Sequence, residues 1–209
     1  MSAAVHAHAG ADHTELTYVL RAAVKLGILE SVAVLVIGSV SKYLDGVAET
    51  ALLAVLLTAA IAAVAFLPGL WTRATTIEGI AGAAGIGLAA TVVFMVFDVA
   101  LFQPFGLYTN RWLEIGGGSN WWYHPIWWMV GTYLPWLGGW ILATQAARGG
   151  QPSLIGGLGV VLVATVVCMV AGVVLHVPGA GWNVGTYGVA FIPGFALATA
   201  ISVLGARRK

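Results

Sequence analysis

Three residues carry the chemistry of metal ligands or proton carriers and fall at one depth of the chain: Asp98, His124 and His176. A carboxylate with two neutral imidazoles suits copper, iron or zinc and leaves coordination positions open for water or substrate. The same imidazoles can instead hydrogen-bond the oxygens of a quinone while Asp98 passes a proton. Haem ranks below both, because bis-histidine ligation needs facing rings about 4 Å apart across the iron and nothing in this spacing enforces that. Asp98 is the sharpest of the three. It stands between Phe97 and Val99 in an apolar run, where an ionisable group is expensive in lipid and marks either a site or a buried pair. Arg111 or a histidine is its expected partner. Each histidine has a plainer alternative, which is to meet lipid headgroups or cap a helix end.

A second concentration of functional side chains precedes His124. Residues 107–123 contain Tyr108, Arg111, Trp112 and Glu114, then Gly116-Gly117-Gly118, then Trp121 and Trp122; Trp127 and Trp128 follow, and Trp182 sits in a later loop. Six of the nine tryptophans therefore gather at one end. An interfacial aromatic belt explains such a cluster without any function. The other reading makes it a docking or ligand surface for a partner, with aromatic area and glycine-rich backbone supplying the contacts. His6, His8 and His13 with Asp12 form a further cluster of metal-ligand type on the N-terminal tail, at the opposite end from Asp98. Glu30 follows Lys25 by about a turn and is expected to pair within its helix or at the interface.

The elements that must position these groups are membrane helices. Of 209 residues, 60% are hydrophobic and only 8% are charged, where a soluble domain carries roughly 25% charged residues. The mean hydropathy is +0.94. Apolar runs approach or exceed the roughly 20 residues that cross a bilayer. They begin near Gly27, Ala51, Ile80, His124, Leu154 and Tyr187, and Tyr18 to Lys25 extends the first toward the interface. Their expected ends are Val40, Leu67 before Pro68-Gly69, Phe102 before Pro104, Ala147, Val177 before Pro178-Gly179, and Ala206. The chain thus reads as one all-α membrane domain over residues 1–209, a bundle of six transmembrane helices. It has a tail at 1–15 and a Trp/Gly-rich outer loop at 107–123 between the third and fourth helices.

Lys and Arg set the orientation, because short cytoplasmic segments hold the excess. With both ends inside, Arg21, Lys25, Arg73, Arg148, Arg207, Arg208 and Lys209 lie inside against Lys42 and Arg111 outside. Both termini are therefore expected in the cytoplasm. Small residues four apart, at Ala81/Gly85, Ala83/Gly87 and Gly194/Ala198/Ser202, mark faces where helix backbones approach.

Several function classes are excluded. A net charge of +1 with no basic run beyond the last three residues gives no footing for nucleic acid. No glycine cluster has the lysine of a phosphate loop, and no hydrolase motif or Cys-x-x-Cys appears. An independent enzyme is not expected, and a subunit of a membrane oxidoreductase is the most that the motifs allow. The first expectation is an integral subunit of a larger electron-transfer complex in a bacterial or archaeal plasma membrane, in contact with lipid and other subunits, lining a cofactor or quinone site near the outer face. A metal-dependent redox subunit using Asp98, His124 and His176 is the second. A small-solute transporter or channel with Asp98 as its coupling group is the third.

Overall fold

The computed structural model describes residues 13–108 and 123–206. Among them the backbone forms six α-helices and no strand: α1 Leu16–Tyr43, α2 Gly46–Thr72, α3 Ile77–Phe97, α4 Tyr123–Ala147, α5 Leu154–Val174 and α6 Val184–Ala206. A π-helical turn, Asp98–Phe102, carries α3 onward. Five of these stretches are long and apolar enough to cross a membrane: Leu16–Tyr43, Gly46–Thr72, Ile77–Phe102, Leu154–Val174 and Val184–Gly205. Large apolar side chains also cover the outside, with Val55, Val163 and Leu204 each more than half exposed. Such a surface belongs in lipid. The chain is a multi-pass helical membrane bundle.

Helix ends follow local chemistry. The side chains of Thr76 and Ser153 cap α3 and α5 by accepting from Gly79 N and Gly156 N, and the Asn183 side chain accepts from Thr186 N at 2.8 Å to open α6. Three ends differ from those expected, the first being α1, which runs past Val40 to Tyr43. α2 does not stop at Pro68-Gly69 but runs on to Thr72 and ends where Arg73 turns left-handed at φ 53°. A proline removes one backbone donor, and here buried neighbours hold the helix through it; the Thr72 hydroxyl lies 3.0 Å from Pro68 O and 3.0 Å from Gly79 O. α5 ends at Val174 rather than Val177, because His176 adopts φ 55° and reverses the chain before the proline is reached.

Several polar side chains inside the spans bond to their own helix, whereas the buried hydroxyls of Thr165 and Thr199 have no hydrogen-bond partner among the described residues. Ser31 donates to Gly27 O at 2.7 Å, Thr58 to Ala54 O at 2.7 Å, and Thr144 to Trp140 O at 2.7 Å. Hydroxyls also bond between helices, Thr58 with Tyr187 at 2.7 Å and Tyr133 donating to Ile192 O at 3.1 Å, and apolar shape sets most of the remaining contact. α1 packs on α3, α3 on α4, α4 on α2 and α6, and α5 reaches the others mainly through α6. Phe66, Leu134, Ile141, Val161, Phe191 and Phe195 fill the centre among α2, α4, α5 and α6. Leu26, Ile86 and Ala90 join α1 to α3.

Close approach falls on glycines, as expected of small-residue faces. A Cβ at Gly87 would strike Gly131 O and Pro135, and one at Gly194 would lie 2.9 Å from Thr165 Cα. The Ala83/Gly87 and Gly194/Ala198 faces are therefore contacts. Ala81/Gly85 is not: Ala81 is exposed and a Cβ on Gly85 meets nothing within 4 Å. The two pairs lie on one helix about 200° apart in phase from Ala83 to Ala81, so only one of them can face α4.

Candidate functional site

At the C-terminal end of α3 the Asp98 side chain is completely buried. The sequence places this carboxylate one residue past a regular helix, and the π-helical turn holds it there: Gln103 N donates to Asp98 O at 2.9 Å. The widened turn brings Gln103 back over the carboxylate, and Gln103 Nε2 donates to Asp98 Oδ2 at 2.6 Å. The Tyr108 hydroxyl donates to the other oxygen, Oδ1. Close by, Lys42 Nζ donates to Gly106 O at 2.8 Å and ties the end of α1 to the same turn. Phe94, Phe102 and Leu107 are buried beneath it, with the Trp127 ring tilted against Phe94 at 4.8 Å between centroids. The carboxylate thus anchors the first residues after α3. Both oxygens already accept hydrogen bonds, so a metal bound there would have to displace those donors.

Of the expected companions of Asp98, only the His176 side chain falls among the described residues. His176 is exposed, in the left-handed turn after α5. His124 belongs to the first turn of α4, and its side chain lies outside the described residues, as do Arg111, Trp112, Glu114, Trp121 and Trp122. Among the described residues no three His, Cys, Asp or Glu side chains come together as metal ligands would. Trp128 and Trp182 are exposed at 49% and 69%, and Trp128 Nε1 approaches Met95 Sδ at 2.7 Å. Of the N-terminal histidine cluster, His6, His8 and Asp12 also lie outside the described residues. His13 docks on the bundle: its backbone N donates to Thr72 O at 2.8 Å and its ring tilts against Tyr18 at 5.5 Å.

The largest chemical contrast lies deeper in the bundle. Between α1 and α2, over a floor of α3 and α4, runs a cleft of about 290 Å³. Its walls are aliphatic along Leu29, Ala33, Ile37, Leu57, Ala60 and Val64, with Thr91, Trp127 and Gly131 beneath. One carboxylate, Glu30, lines it. Fourteen residues of α1 precede Glu30 and thirteen follow, so it sits at the middle of a helix roughly 42 Å long by its rise. The expected pairing with Lys25 does not form. Five residues apart on a helix is roughly 140° around the axis, so Lys25 projects to the exposed side while Glu30 faces the cleft. Glu30 makes no hydrogen bond or ion pair among the described residues.

Glu30 is thus the site residue that sequence reasoning underweighted. The signal was its central position in the first apolar run, which ranks above nearness to a lysine one turn away. Compared with family models, with curated proteins and with solved structures, the chain matches none.

Proposed function

We propose that this chain is a ligand-binding subunit of a larger membrane assembly, and that it holds a lipophilic molecule inside the bilayer in the α1–α2 cleft. One observation carries the reading: an apolar cleft at the centre of the spans with a single carboxylate on its wall. Sites for small ligands are apolar pockets with few, convergent polar groups, and an ionisable residue within a span marks function by default. The site expected at the outer face is thereby moved to mid-depth. The outer Asp98 cluster keeps a supporting role, because Phe94 and Trp127 connect it to the cleft floor. An electron-transfer assembly with a quinone-type ring in the cleft is the form of this reading nearest to the sequence expectation.

A benzophenone-bearing alkyl probe added to the protein in lipid should cross-link within residues 29–37 and 56–64, as mapped by peptide mass spectrometry. Ala60→Phe fills the cleft from α2 and should reduce that labelling roughly fivefold or more, in line with the steric demands of close-packed interiors. Labelling spread evenly over all helices would reject the cleft as a site. Purification in mild detergent tests the assembly: companion chains should leave with the protein, and a lone monodisperse monomer would reject it.

The same reading takes α4 as a sixth span. α4 has 25 residues, enough to cross, and stands between α2, α3 and α6, with tryptophans and prolines lowering its apolarity. Six spans with both ends cytoplasmic put Gln151 inside and Pro178 outside, both exposed. In a Cys168→Ser background, Gln151→Cys should react with a membrane-impermeant maleimide only in inverted vesicles, and Pro178→Cys only in intact cells. The opposite pattern would invert the topology.

A further inference from the structure

The cleft also constrains the charge of what enters it. Its walls come from four helices, and among the described residues that line it Glu30 is the only titratable group. α2 contributes aliphatic side chains alone, α3 contributes Thr91, and α4 contributes Trp127, Val130, Gly131 and Leu134. Thr91 has no hydrogen to offer a ligand, since its hydroxyl donates to Gly87 O at 3.0 Å. Glu30 itself has no partner among the described residues. A charge removed from water is best compensated by an opposite charge beside it, and in low dielectric that attraction far exceeds its value in water. A neutral apolar ligand gains nothing from this carboxylate. An organic cation gains a counter-ion, aliphatic walls for its body, and the indole of Trp127, the ring type with the strongest pull on a cation.

Building on the binding reading above, we infer that the cleft takes a lipophilic monovalent organic cation whose positive centre pairs with the Glu30 carboxylate, and that cation and proton are alternative occupants of that group. The exchange is one for one. A cation entering the protonated site releases one proton, and the site carries no net charge in either state. Among the described residues no other titratable group on α1, α2, α3 or α4 lines the cleft, so the linkage is assigned to Glu30.

The full chain in nanodiscs of zwitterionic lipid is titrated with phenyltrimethylammonium and with tert-butylbenzene, its neutral carbon isostere. The cation should saturate one site and bind roughly tenfold or more tightly than the isostere, the difference being the charge alone. Its affinity should fall on the order of tenfold per pH unit once acidification protonates the carboxyl. Glu30→Gln, of the same size without the charge, should lose the cation and the pH dependence together; Glu30→Asp should keep both. If Glu30→Gln fails to fold, Ala60→Phe serves instead, because it leaves the carboxylate and fills the space, and it should also lose the cation. Equal binding of cation and isostere, or a cation isotherm unchanged in Glu30→Gln, would overturn the charge assignment while photolabelling of the cleft still stands. Binding of neither compound, with no cleft labelling, would overturn the binding reading and this inference with it.

Discussion

Gly138→Ala is expected to lower the stability of the bundle by about 3 kcal/mol, the upper range for forcing atoms into a closed core. A Cβ at Gly138 would collide with Ala65 O and stand 2.7 Å from Ala65 C. Both are backbone atoms of α2, so no side chain can turn aside, and the whole α2–α4 contact must open. Gly85→Ala is the control: it is also in a helix, but a Cβ there meets nothing within 4 Å. Removing a helical glycine in open space should be neutral or stabilise by about 0.5–1 kcal/mol. Thermal or denaturant unfolding of the two variants in detergent should therefore move in opposite directions. Equal melting temperatures would mean that α2 and α4 do not meet at this point.

The second large effect is expected at Asp98. Asp98→Ala removes the acceptor of both the Tyr108 hydroxyl and Gln103 Nε2 at a fully buried position. Stranding polar groups that have lost a charged partner costs about 3 kcal/mol. Asp98→Asn should cost about a third of that, since Asn keeps one acceptor oxygen and the Gln103 amide can turn to offer its own. Tyr108→Phe should lose less again. A double-mutant cycle between Asp98→Ala and Tyr108→Phe should show coupling of about 1–3 kcal/mol, as for groups in direct contact. Additive losses would show that Tyr108 does not serve this carboxylate.

The membrane bundle was legible because apolar length is nearly sufficient to define a span. Burial and backbone satisfaction in lipid leave a long apolar run only the helix. Residues 77–102 and 123–147 match the expected runs closely for that reason. Ends were less legible where two local signals competed. Pro68 reads as a stop, yet tertiary burial around Phe66 and Gly69 carries α2 through it, and the left-handed Arg73 has no sequence signature at all. At α5 the proline was the visible signal, and His176 the residue that turned the chain.

Site residues divided along a similar line. Asp98 stood out because its type conflicts with its surroundings, and its burial agrees. Its donors could not be foreseen: Gln103 reaches it only because five residues close a π-helical turn, and a regular helix would leave the two off register. Glu30 was hidden by linear proximity. A lysine close in sequence suggested a pair, whereas the helical phase separates them and turns the carboxylate toward α2. Which helices enclose a cleft is a tertiary fact that periodicity does not encode, all the less in spans that are apolar on every side.

One consequence of the arrangement concerns the order of the helices along the chain. α5 reaches the rest of the molecule chiefly by way of α6. The contacts of Gly87 on Gly131 and of Gly138 on Ala65 join α3 to α4 and α4 to α2 without any residue of the α5–α6 hairpin. That hairpin follows them in the chain and packs on the body they form, with Phe191 and Phe195 in the shared core. Every helix that walls the cleft beside Glu30 thus precedes that hairpin in the chain, and the cleft needs no residue from it.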